Sequence, residues 1–169
     1  MEFIMKNKQN VLPKKEVESV FALYSSGEFQ KAIDLIKELN NKYPNQPLLF
    51  NLSGACYQGL GELAGAAKMF EIAVSLSPRY SEAHFNLGVI FQALDQKEDA
   101  FDYYVTAAQI NNNMYSTPKY LYKAAMMGAS IGKTKQALTF LKRIEKEFSE
   151  STEAELVGVQ IGKLETLLK

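Results

Sequence analysis

The chain repeats itself every 34 residues. Ala32, Ala66 and Ala100 stand at this step, as do Gly27, Gly61 and Asp95, the pair Gly54 and Gly88, and Pro44, Pro78 and Asn112. Within each period the apolar residues recur at helical spacing rather than in alternation. A fixed period of this length marks stacked helical hairpins, because one hairpin cannot bury its apolar face without a neighbour. The expected fold is therefore all-α, an α-α superhelix of hairpins with no sheet. Such a stack offers a curved surface and no ready-made reaction site, so the period points to binding as the class of activity.

The repeats run over 13–46, 47–80 and 81–114, and a fourth over 118–150 follows a three-residue insertion. In the second, Phe50, Gly54, Tyr57 and Leu60 lie on one face of a first helix. Ala66, Ala67, Phe70, Ala73 and Val74 do so on a second. Gly61 sits where the chain must reverse, since glycine suits the left-handed conformation at a helix C-terminus. Pro78 ends the second helix for want of an amide proton. Gly54, Ala66 and Ala73 are small so that the two helices can approach, with Phe70 and Tyr57 filling the space beside them. The segment 151–169 continues the phase with no second helix after it and is expected to cap the stack, its outer side made polar by Glu153, Gln160, Lys163 and Glu165. Residues 1–12 lack periodicity and are expected to be a flexible N-terminus. The expected helices are 13–26, 28–41, 47–60, 62–76, 81–94, 96–110, 118–131, 133–148 and 151–168.

This pattern resembles the tetratricopeptide repeat, in bacterial-type form. That family's signature is an aromatic residue at position 4, Leu at 7, Gly at 8, Tyr at 11, Ala at 20, an aromatic at 24, Ala at 27 and Pro at 32; the second repeat supplies Phe50, Gly54, Tyr57, Ala66, Phe70, Ala73 and Pro78. The third supplies Leu87, Gly88, Phe91, Ala100, Tyr104 and Ala107, with His84 and Asn112 as departures. The first keeps Ala32 and Pro44 but has Val20 at the glycine position, and the fourth keeps Ala137. The resemblance implies a protein-interaction scaffold whose first helices line a concave groove holding a peptide or helix of another protein. Carried over residue by residue, that groove takes Val17, Phe21 and Tyr24 from the first repeat, and Asn51 and Gln58 from the second. Phe85, Val89 and Gln92 come from the third, and Tyr122 and Met126 from the fourth. Relatives that clamp the acidic tails of heat-shock chaperones need Lys and Asn where this chain has Val17 and Phe21. The groove implied here is apolar and aromatic with scattered amides, suited to an amphipathic helix or an extended apolar segment.

Composition narrows the alternatives. Lys plus Arg and Asp plus Glu number 19 each, so no basic footprint for nucleic acid or for a membrane surface exists. Near-zero net charge permits self-association, so a homo-oligomeric scaffold is the competing reading. A third reading is an accessory module of the kind attached to bacterial transferases. Cys56 is the only cysteine, which excludes an internal disulfide and fits a cytoplasmic setting. No apolar run reaches the roughly 20 residues of a membrane span. Cys56 and the single histidine, His84, are separated by most of a repeat and give no metal-ligand spacing; both read as packing residues. No phosphate-binding glycine loop occurs, and no nucleophile stands beside a base. The expectation is a non-catalytic chain with no cofactor and no metal.

Overall fold

The computed structural model describes residues 11–169, so the expectation for 1–12 lies outside the described residues but for its last two. The described residues form nine α-helices and no strand, each within three residues of its expected bounds. They fall into two compact units, one ending at Pro78 and the other spanning Arg79–Lys169. The first holds α1 (Lys14–Ser25), α2 (Phe29–Lys42), α3 (Pro47–Gly59) and α4 (Leu63–Leu76). The second holds α5 (Ser81–Ala93), α6 (Lys97–Ile110), α7 (Thr117–Ser130), α8 (Thr134–Glu147) and α9 (Ala154–Thr166). Within each unit every helix packs on the next in sequence.

One backbone device makes the hairpins. After each first helix a residue turns left-handed: Gly27 at φ +77°, Gly61 at +78°, Asp95 at +58° and Gly132 at +78°. The next amide then reaches back five residues. Glu28 N–H donates to Leu23 O at 2.9 Å, Glu62 to Tyr57 at 2.9 Å, Gln96 to Phe91 at 2.9 Å and Lys133 to Gly128 at 2.8 Å. This satisfies a helix-end carbonyl that would otherwise lack a partner and fixes the reversal. Proline opens two of the helices, Pro47 in α3 and Pro118 in α7, where its missing amide costs nothing.

The insertion before the fourth repeat is ordered by Asn113. Its Oδ1 accepts from the amides of Tyr115 at 3.0 Å and Ser116 at 2.8 Å. Its own N–H donates to Thr117 Oγ1 at 2.9 Å, and that hydroxyl in turn donates to Asn111 O at 2.9 Å.

The small residues explain how closely the hairpins close. A Cβ at Gly54 would lie 2.6 Å from the Phe70 ring, and one at Gly88 would lie 2.6 Å from the Tyr104 ring. Both rings are fully buried, so glycine is what lets α3 meet α4 and α5 meet α6. In the first unit Val20, Ile33, Ile36, Leu39, Leu49 and Cys56 fill the core beside this contact. In the second, Leu121, Leu141 and Ile144 join Tyr104 and Phe101.

α9 lies on α8 with Val157 and Leu164 buried, and its outer side is mixed: Glu155, Lys163 and Glu165 are exposed beside apolar residues. Glu165 turns back to pair with Lys142 at 2.7 Å, while Leu156 and Val159 stand exposed.

Candidate functional site

Of the ten expected groove residues, the structure gathers three around one depression. Gln92 at the end of α5 and Tyr122 and Met126 on α7 line an open pocket of about 440 Å³, together with Asp95, Lys97, Lys123, Met127 and Ser130. α7 supplies Tyr122, Met126 and Ser130 at a step of four, so they form one ridge along the helix. The hairpin reversal at Asp95 brings Asp95 and Lys97 to the rim, where their side chains pair at 3.3 Å.

Gln92 is oriented from below. The Tyr104 hydroxyl donates to its Oε1 at 2.7 Å, which leaves the amide N–H groups to donate outward. Burial pushes the Tyr104 phenol up to about 12, so it remains a donor at neutral pH. Ser130 Oγ donates to Met127 O at 2.7 Å, which fixes its position at the far end of the ridge. Lys123 has no ion pair among the described residues and leaves a positive charge at the wall. The pocket thus offers an aromatic ring, two thioethers, amide donors and a cation, which together suit a peptide segment.

Two expected groove residues are corrected. Phe85 is only 7% exposed and belongs to the core: its ring stacks on Tyr120 at 4.7 Å and meets Tyr104 at 5.4 Å, under the Lys119 ammonium at 4.6 Å. α7 supplies Tyr120 where the carried-over pattern assumed open space. Asn51 is likewise buried. Val89 is half-buried against the second unit's core. In the first unit, Val17 packs partly into the core and Gln58 is half-buried. Phe21 is 45% exposed, and Tyr24 lies against Phe29 with ring centroids 5.6 Å apart.

The sequence reading missed Asp95, Lys97, Lys123, Met127 and Ser130. Ser130 was accessible as the next step of four after Met126. The others depend on how the hairpin turn folds over α7's neighbour and had no signal in the repeat pattern. They make the pocket more charged than the apolar trough expected.

Cys56 is fully buried and its thiol is pushed up to about 11 by that burial, which keeps it protonated. His84 is buried with its ring 6.1 Å from that of Tyr103. No cluster of three or more His, Cys, Asp or Glu side chains able to hold a metal occurs among the described residues. No helix among them is long and apolar enough to cross a membrane.

Comparison with known proteins agrees with this architecture. The tetratricopeptide repeat family model matches residues 81–114. No curated protein matches the chain in sequence. Among solved structures, the first tetratricopeptide domain of Spaghetti (RPAP3), bound to the HSP90 peptide SRMEEVD, is similar with a TM-score of 0.62 at 21% identity, over 69% of this chain and 90% of that one. YrrB, described as a tetratricopeptide protein with an unusual peptide-binding site, gives 0.67 at 17% identity over 86% and 75%. A thermophilic tetratricopeptide protein of Thermus thermophilus gives 0.63 at 19% identity over 89% and 78%. Residues 81–114 match the tetratricopeptide repeat, and the described residues share the helical-hairpin fold of these tetratricopeptide structures.

Proposed function

We propose that the chain is a non-catalytic protein-interaction module, and that the depression between α5 and α7 holds a peptide segment of its partner. The observation that carries the reading is the convergence of Gln92, Tyr122 and Met126 on one pocket with Lys123 at its wall. The volume, about 440 Å³, lies in the range of ligand clefts, and the lining mixes apolar anchoring surface with a few directed polar groups. An extended segment would place one apolar side chain between Tyr122 and Met126 while a backbone carbonyl takes the Gln92 amide. Lys123 favours an acidic flank on that segment. The peptide bound in the Spaghetti (RPAP3) structure is a precedent for a peptide ligand on this fold and carries no information about this chain's partner. A cytoplasmic setting belongs to the same reading, in keeping with a buried, protonated Cys56.

The test is direct. Peptides selected from a random-sequence display library against the chain are titrated by fluorescence anisotropy. Tyr122→Ala combined with Met126→Ala removes half-buried side chains of the pocket and is expected to weaken binding roughly 30-fold or more. Lys68→Glu, on the exposed side of α4, is expected to leave it unchanged. Equal binding by the Tyr122/Met126 variant and the parent chain would overturn the assignment.

A further inference from the structure

We propose that the outer face of α9 is a docking face for a second copy of this chain, with the two α9 helices pairing antiparallel about Val159. α9 carries the register of a first helix, with Gly158 at the place of Gly54 and Gly88. In those two cases the ring of the following helix presses on the glycine, and a Cβ would meet it at 2.6 Å. At Gly158 and Gly162 nothing lies within 4 Å. The two glycines of α9 are thus uncovered among the described residues. The side turned away from α8 is apolar at its middle, with Val159 66% and Leu156 53% exposed.

The charges on this face select the occupant. Glu155, Val159 and Lys163 occupy successive turns of one side of the helix. In an antiparallel pair centred on Val159, Glu155 comes level with the partner's Lys163, and Lys163 with the partner's Glu155. Leu156 comes level with Gly162, where the missing side chain leaves room for it. A parallel pair would instead set like charges side by side. Neither Glu155 nor Lys163 has an ion pair among the described residues, since the nearby Lys142–Glu165 bridge uses other groups. A formal net charge of zero adds no long-range repulsion between copies. The face is short: 13 helical residues span roughly 20 Å, too little for the ~800 Å² per partner of a stable interface. The dimer is accordingly weak and reversible.

Sedimentation velocity of the full chain from about 10 µM to about 1 mM reads this directly. The expected result is a monomer at the low end and a growing dimer at the high end. Val159→Glu should weaken association at least ~tenfold, with the helical circular dichroism unchanged because the side chain is exposed. Glu155→Lys alone should also weaken it, and Glu155→Lys with Lys163→Glu should restore it. Tyr122→Ala with Met126→Ala should leave it unchanged, which separates this face from the pocket of α7. A monomer throughout the range would overturn the proposal and reassign the face to a helix of another protein. A dimer insensitive to Val159→Glu would overturn the face. A charge swap that fails to restore association would overturn the antiparallel register.

Discussion

The same substitution at two equivalent places should have opposite signs. Gly88 and Gly158 both occupy the eighth position of a first helix. At Gly88 an added Cβ would sit 2.6 Å from Tyr104 Cδ1 and 2.7 Å from Cε1, on a ring that is fully buried and tied by its hydroxyl to Gln92. Carbon atoms in van der Waals contact stand about 3.5–4.0 Å apart, so the ring or α5 must move by about 1 Å. Overpacking of this kind costs roughly 1–3 kcal/mol, and a ring with no free side places it in the upper half of that range. Replacing a helical glycine by alanine returns about 1 kcal/mol. The net expectation for Gly88→Ala is a loss of about 1–2 kcal/mol, or roughly 2–8 °C in the melting temperature of a chain of this size. At Gly158 nothing opposes the added methyl group, so Gly158→Ala should gain about 0.5–1 kcal/mol. Urea unfolding followed at 222 nm, at a concentration low enough to keep the chain monomeric, measures both. A Gly88→Ala variant as stable as the parent chain would refute the argument that glycine is there for close approach.

Three further outcomes follow from the same contacts. Burial holds the Cys56 thiol at about 11 and the Tyr104 phenol at about 12, both above their values in an unfolded chain. Both groups are neutral in the fold, so their contribution is fully present below about pH 9 and is lost as the pH rises through roughly 9–12. Urea midpoints should fall across that window, and Cys56→Ala should remove the earlier part of the fall. Asp95 adopts φ +58° where the equivalent residues are glycine, and its exposed pair with Lys97 contributes little. Asp95→Gly should therefore raise stability by up to ~1 kcal/mol in the same assay, with no change in helicity. Phe85→Ala should cost about 3–5 kcal/mol as a core truncation, losing its contacts with Tyr120 and Tyr104. A stable Phe85→Ala variant with normal helicity would contradict its placement in the core.

The fold was legible in the sequence because the device that makes it is local. Gly27, Gly61, Asp95 and Gly132 mark left-handed residues that any hairpin of this kind requires, and Gly54 and Gly88 mark the close approach. The site was only partly legible, because exposure depends on what the neighbouring helix brings. Phe85 occupies a groove position in the repeat pattern, yet Tyr120 covers it. Lys123 and Lys97 reach the pocket through the packing of α7 beside the α5–α6 turn, which no period encodes. At the cap, Glu165 stays exposed as an outer residue, and its pairing with the Lys142 ammonium, which holds its carboxyl below the usual range, is a contact between helices that no period encodes.

The assignment of the pocket can be put to one spectrum. A uniformly labelled chain is titrated with a library-selected peptide and its backbone amide resonances are followed. The largest shifts should fall on Gln92, Lys97, Tyr122, Lys123, Met126 and Ser130, with Tyr104 responding through its hydrogen bond to Gln92. Shifts concentrated elsewhere, with the amides of α7 unmoved at saturation, would contradict the reading of this depression as the place where the protein holds its partner.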